Sequence, residues 1–156
     1  MPEDKFGYRG YLSPFTWRYG SDEMRRIFSE LHYRALWRRI WVALAEAESR
    51  YGLVGRDEVE DLRSRMGEEY IDLGRSHEIE RRIRHDVMAE IKAYAEQCPV
   101  GGGKIHLGAT SADVEDNADI MRIREALDLI LKRLVNCLEA STEVVERYMS
   151  LPCMGW

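Results

Sequence analysis

Apolar positions along this chain recur every three or four residues, and that period predicts helices almost throughout. Met24, Ile27, Phe28 and Leu31 mark the first stripe. Ser21 is its N-cap, and Asp22 and Glu23 suit the positive helix end. The period resumes at Trp37, Ile40, Trp41, Leu44 and Ala45 and runs to Tyr51-Gly52, with Gly52 as the stop. A break or bend falls near Glu30–Tyr33. Asp57 to Met66 predicts a short charged helix with Val59, Leu62 and Met66 inward. Ile71 to Arg84 reads as helix or irregular turn. Asp86 to Cys98 is a cleaner helix, with Val87, Ile91, Tyr94, Ala95 and Cys98 on one face, ended by Pro99 and Gly101-Gly102-Gly103.

From Ser111 the helical pattern continues for about 40 residues, or ~60 Å at 1.5 Å per residue. Its stripe is Ile120, Ile123, Leu127, Ile130, Leu134, Cys137 or Leu138, Val144 or Val145, and Tyr148. A compact domain of this size has no room to cover such a seam, so the stripe needs partner helices. Lys104-Ile105-His106-Leu107 gives the best strand signal, and it is short. The fold class read from the sequence is therefore all-α. Residues 1–20 have no clear period. Tyr8, Tyr11, Phe15, Trp17 and Tyr19 predict an ordered arm, because aromatic rings are costly to leave in water. Trp17, Trp37 and Trp41 read as core.

Composition changes the picture in three ways. The 156 residues suffice for one domain with a real core. A net charge of −5 provides no basic field for nucleic acid. Three scattered cysteines, Cys98, Cys137 and Cys153, make no disulfide framework and no zinc-ligand set, so the expected setting is reducing and cytoplasmic, with no metal. No apolar run approaches the roughly 20 residues of a membrane span. Met1 to Lys5 lacks an apolar signal core.

Two short segments carry candidate chemistry. In Arg84-His85-Asp86 a fixed cation, a titratable ring and a carboxylate are consecutive at a helix start. Spacing alone favours a solvated charged turn with Asp86 as a helix-start acid. In His106-Leu107-Gly108-Ala109-Thr110-Ser111 a glycine that lets a ligand approach precedes two hydroxyls, where backbone N–H groups await an anion. A plain Ser/Thr N-cap is the simpler account of that spacing. The three glycines before it fit neither a P-loop nor a dinucleotide fingerprint. His32 and His77 have no partner at ligand spacing and read as surface or packing residues. Asp116 and Asn117 are placed to tie the long helix to neighbouring segments.

Taken jointly, these segments resemble the adenylosuccinate lyase family of the fumarase/aspartase superfamily. The likeness rests on Tyr11-Leu12-Ser13-Pro14 with Trp17-Arg18-Tyr19-Gly20-Ser21-Asp22, on Leu44-Ala45-Glu46-Ala47-Glu48, and on Arg84-His85-Asp86-Val87. It is completed by Ile105-His106-Leu107-Gly108-Ala109-Thr110-Ser111 with Asp116-Asn117. The resemblance implies an N-terminal helical domain over 1–110 and the start of a central long-helix bundle over 111–156. It implies a homotetramer, a nucleotide substrate and no cofactor. The reaction it implies is elimination of fumarate from adenylosuccinate, giving AMP, and from the related succinyl-carboxamide intermediate (SAICAR).

By the same resemblance His85 is catalytic. Arg18 and Tyr19 meet the nucleotide's phosphate end, Arg84 and Asp86 line the same pocket, and Thr110 and Ser111 bind the succinyl carboxylate. The family's Thr-His-x-Gln-Pro segment is expected just beyond Trp156, and its serine-bearing loop further on. The expectation is an N-terminal portion that is inactive alone. Two other readings remain: a superfamily lyase acting on argininosuccinate or a simple dicarboxylate, and a non-catalytic helical assembly module.

Overall fold

The structure is a computed structural model that describes residues 13–155. The expectations for Tyr8, Tyr11 and Trp156 lie outside those residues. The described residues are helical, without a strand. A five-residue π turn, Phe15–Tyr19, leads into α1 (Asp22–Ile27). The Ser21 hydroxyl accepts from the Met24 N–H at 3.2 Å, the cap expected from sequence. Trp17 is half exposed, and Phe15 and Tyr19 more so, which corrects the assignment of Trp17 to the core. The π turn lies on the outside, held to α1 by Arg25, which donates to the carbonyl of Thr16 at 2.9 Å.

The break that follows falls at Phe28-Ser29, slightly earlier than the sequence suggested. Its cause is a second cap: Ser29 Oγ accepts from the His32 N–H at 3.2 Å and opens α2 (Glu30–Ser49). At the far end of α2, Gly52 adopts φ 74°, and the N–H of Leu53 reaches back to the Glu48 carbonyl at 3.2 Å. This is the left-handed glycine closure that the sequence predicted.

Next come α3 (Arg56–Ser64), a 3₁₀ turn (Glu68–Tyr70) and α4 (Leu73–Ile83). The segment read as helix or irregular turn is thus a helix, capped by the Asp72 carboxylate accepting from the Arg75 N–H at 2.9 Å. α5 (Asp86–Ala95) begins three residues after α4 ends. The Lys104–Leu107 stretch is no strand. A 3₁₀ turn (Gly102–Lys104) and a tight loop occupy it, before α6 (Ser111–Tyr148).

The core forms around α2. Leu36, Trp37, Trp41, Val42 and Ala45 bury against Val59 and Leu62 of α3, Val87 and Tyr94 of α5, and Val114 and Ala118 of α6. α2 and α5 run parallel: Arg34 donates to the Asp86 carbonyl, and Arg38 pairs with Glu90 one turn on. α2 and α6 run antiparallel, with His32 beside Glu125 at one end and Trp41 beside His106 at the other.

The core includes charge that hydropathy could not place there. Arg38 is fully buried. It donates to Glu90 Oε1 at 2.9 Å, to the Arg65 carbonyl at 2.7 Å and to Gln97 Oε1 at 3.0 Å, while Ser76 donates to the other Glu90 oxygen. The pair thereby joins five segments.

α6 has two apolar faces. Val114, Ala118 and Ala126 are buried toward the body. Ile120, Ile123, Leu127, Ile130, Leu134, Leu138 and Val145, the stripe seen in the sequence, are all exposed. Asn117 donates to the Asp113 carbonyl of its own helix at 2.7 Å, and among the described residues it makes no hydrogen bond to a neighbouring segment.

Candidate functional site

The α4–α5 corner exists because Arg84 takes the left-handed conformation, φ 58°. A bulky residue there costs on the order of 1 kcal/mol. The turn reverses the chain, closes α4 through the Arg84 N–H to the Glu80 carbonyl at 2.7 Å, and leaves the Arg84 side chain in solvent. His85 then caps α5: its Nδ1 accepts from the Met88 N–H at 3.4 Å. The His85 side chain is half exposed. Its Nδ1 lies 3.5 Å from Asp86 Oδ1, and that same oxygen accepts from the Val87 N–H at 2.8 Å. The three residues are therefore both a helix start and a rigid display of cation, imidazole and carboxylate.

The second cluster is the start of α6. Thr110 occupies the N-cap position, and the Asp113 carboxylate accepts from its N–H at 2.9 Å, closing the turn from within the helix. Thr110 is exposed and Ser111 half-buried at the positive end of a 38-residue helix. The loop before it is held by His106 at φ 68° and Gly108 at φ 67°. Arg84 and His106 are the non-glycine residues with positive φ among those described, and both flank this corner. Backbone strain concentrated at one place is a mark of sites that display side chains for use.

The two clusters meet. Glu115, one turn into α6, lies beside Asp86, and its carboxyl is pushed above the usual range, first by burial and then by the Asp86 and Asp116 charges. His106 lies within the fields of Asp113 and His85. Burial is the largest effect on it and holds the ring below the usual imidazole range, so it favours the neutral form. Two imidazoles, His85 and His106, and the carboxyls of Asp86, Asp113, Asp116 and Glu115 thus gather at the start of α6, with the Arg84 side chain in solvent beside them. Such a set can hold an anion and pass protons. Sequence reasoning gave no role to Glu115 or to His106, although His106 opens the second candidate segment. An acidic chain offers too many carboxylates to choose from, and the His106 conformation comes from a turn with no sequence signature beyond its glycine.

The third predicted pair does not join them within one chain. Arg18 stacks over Trp17, 4.9 Å from the ring centroid. Tyr19 lines an apolar groove with Met24, Leu129, Ile130 and Leu134. Along α6, that position is roughly 28 Å from Ser111.

An all-helical chain with this polar corner, and with a rod reaching past its own core, has lyases for sequence relatives. The adenylosuccinate lyase of Saccharomyces cerevisiae is 38% identical over 96% of this chain. That of Schistosoma mansoni is 34% identical over 95%, and that of Methanocaldococcus jannaschii 32% over 97%. The chain belongs to the adenylosuccinate lyase family. It spans about a third of the length of these relatives: 31%, 31% and 33%. No protein-family model matches it.

Proposed function

We propose that the whole protein is an adenylosuccinate lyase, a carbon–nitrogen lyase that eliminates fumarate from adenylosuccinate and from SAICAR. The observation that carries this reading is the meeting of His85-Asp86 with the Thr110-Ser111 helix start around Glu115 and His106. Elimination takes a proton from the succinyl carbon next to a carboxylate. That electron pair forms the new double bond as the C–N bond breaks, and the leaving nitrogen gains a proton. The site must hold a carboxylate on which charge grows and must time two proton transfers.

Thr110 and Ser111 bind that carboxylate at the positive helix end. His85 orients the substrate or supports protonation of the nitrogen, and Asp86 fixes that ring or a ligand hydroxyl. Arg84 attracts the anionic substrate. Arg18 and Tyr19 take the nucleotide's phosphate end, and they serve the corner of a neighbouring copy, since their own is far along α6. The assembly is a homotetramer built on the exposed α6 face, with residues 1–110 as its N-terminal domain and 111–156 as the start of its bundle. The unpaired state of Cys98, Cys137 and Cys153 supports a cytoplasmic location. Among the described residues no helix is long and apolar enough to cross a membrane.

The test is turnover by the whole protein on adenylosuccinate and argininosuccinate, with His85→Ala alongside. We expect fumarate release from adenylosuccinate and a loss of about 10²-fold or more in the variant. Release from argininosuccinate instead moves the assignment to another lyase. Unchanged turnover in His85→Ala favours an assembly role for this region.

A further inference from the structure

Trp41 is buried near the middle of the core, and its indole Nε1–H donates to Nδ1 of His106 at 3.0 Å. The two rings meet edge-on at 89°. An indole nitrogen is a donor and never an acceptor. The His106 nitrogen that faces it must therefore offer a lone pair, and the neutral ring must carry its hydrogen on Nε2. Protonating Nδ1 would set two N–H groups against each other.

The indole has no freedom to turn away. It stacks on Tyr94 at 6.2 Å between centroids, and Trp37 abuts it at the same distance from another side. Burial alone does not explain the contact, because Trp37, equally buried, has an indole nitrogen with no hydrogen-bond partner. The His106 backbone is fixed as well, at φ 68°, with its carbonyl accepting from the Ala109 N–H at 3.3 Å.

We propose that Trp41 is a positioning residue: it locks His106 in the neutral Nε2–H tautomer, so that the ring offers the polar corner one donor and no acceptor. A fixed neutral donor favours an anionic oxygen without surrendering a proton, and it leaves the proton traffic to the other groups of the corner. The existence of the lock is independent of the reaction proposed above; its use in catalysis rests on that reading.

The experiment is a long-range proton–nitrogen correlation spectrum of the chain labelled with ¹⁵N-histidine, recorded near neutral pH. The expected pattern for His106 is a lone-pair-type Nδ1 and a hydrogen-bearing Nε2. In Trp41→Phe, which keeps an aromatic ring but removes the N–H, we expect His106 to shift to a tautomer mixture. A hydrogen-bearing Nδ1 in the unaltered chain overturns the proposal, and so does an unchanged pattern in Trp41→Phe. If Trp41→Phe does not fold, the spectrum of the unaltered chain decides alone.

In the whole enzyme Trp41→Phe is expected to lower kcat/KM several-fold, and an unchanged value removes the positioning role. Should His85→Ala leave turnover intact, the lyase reading fails, while the spectrum still reports on the lock.

Discussion

At the scale of single residues, two pairs of charges have opposite meanings. Arg38 and Glu90 are both fully buried, and each has further hydrogen-bond partners, although Nη2 of Arg38 is left without one. Losing one partner strands the other in a dry environment. Arg38→Met should therefore cost about 3–5 kcal/mol, while the double change Arg38→Met with Glu90→Leu should recover much of that loss. Urea denaturation of the three variants gives the comparison. Glu115 and Asp86 are instead two acids side by side. The folded carboxyl of Glu115 is raised, so its contribution is favourable below the unfolded carboxylate range and is lost as pH rises through the folded value. Glu115→Gln should raise the melting temperature at pH 7, by on the order of 1 kcal/mol or roughly 2–4 °C. The gain should vanish near pH 4, where the native carboxyl is protonated as well. A stability cost kept at the corner agrees with its use as a site.

At the scale of elements, ion pairs add to hydrophobic contact in joining pieces of the fold. His32 Nδ1 approaches Glu68 at 3.0 Å and binds the 3₁₀ turn to α2; Arg75 grips Glu96 at 2.6 Å and closes the α4–α5 hairpin. Hydrogen bonds from His32 and from Arg75 are the largest effects holding these two carboxyls below their usual range. Their contribution is complete above the unfolded carboxylate range and is lost as pH falls through the lowered folded values. Thermal melts should accordingly show a steady loss of stability below about pH 4.5, smaller in high salt because both pairs are partly exposed. His32 and His77 were legible only as packing or surface residues, since each finds its carboxylates 36 to 93 positions away.

The helices themselves were readable because period, caps and glycine stops agreed, as at Ser21 and Gly52. The break at Ser29 was misplaced because the cap lies within a continuous apolar pattern. Trp17 was misassigned because aromatic character says nothing of which face the chain turns inward. On α6 the sequence revealed the outward stripe, rich in Leu and Ile. It missed the inward one, where Val114, Ala118 and Ala126 are too small to stand out.

At the scale of the whole molecule, the exposed row from Ile120 to Val145 is the dominant unmet demand. Contiguous apolar surface of this kind drives association. Light scattering on the purified chain should report an oligomer. Leu127→Glu with Leu134→Glu should yield a monomer with undiminished helical circular dichroism, because neither side chain enters the core. A monomeric unaltered chain would remove the support that this row lends to a homotetramer. The site was legible to a similar degree. Arg84-His85-Asp86 and Thr110-Ser111 came from local motifs; their approach in space, through Asp86 beside Glu115 and His85 near His106, is visible only in the fold. The position of Arg18-Tyr19 followed from the packing of a distant helix, which no local motif records.

One rod serves both ends of this design. α6 opens at the polar corner, and its outward stripe continues far beyond it. Each residue of an α-helix turns the face by about 100°. A single inserted or deleted position midway along α6 would therefore swing the stripe a quarter-turn or more while leaving the corner untouched. A change of seven or of eleven residues, two or three turns with about 20° of drift, would restore alignment. Length variation in this segment is thereby quantised to near-whole numbers of turns, and intermediate lengths turn the outward stripe away from its present bearing on the polar corner.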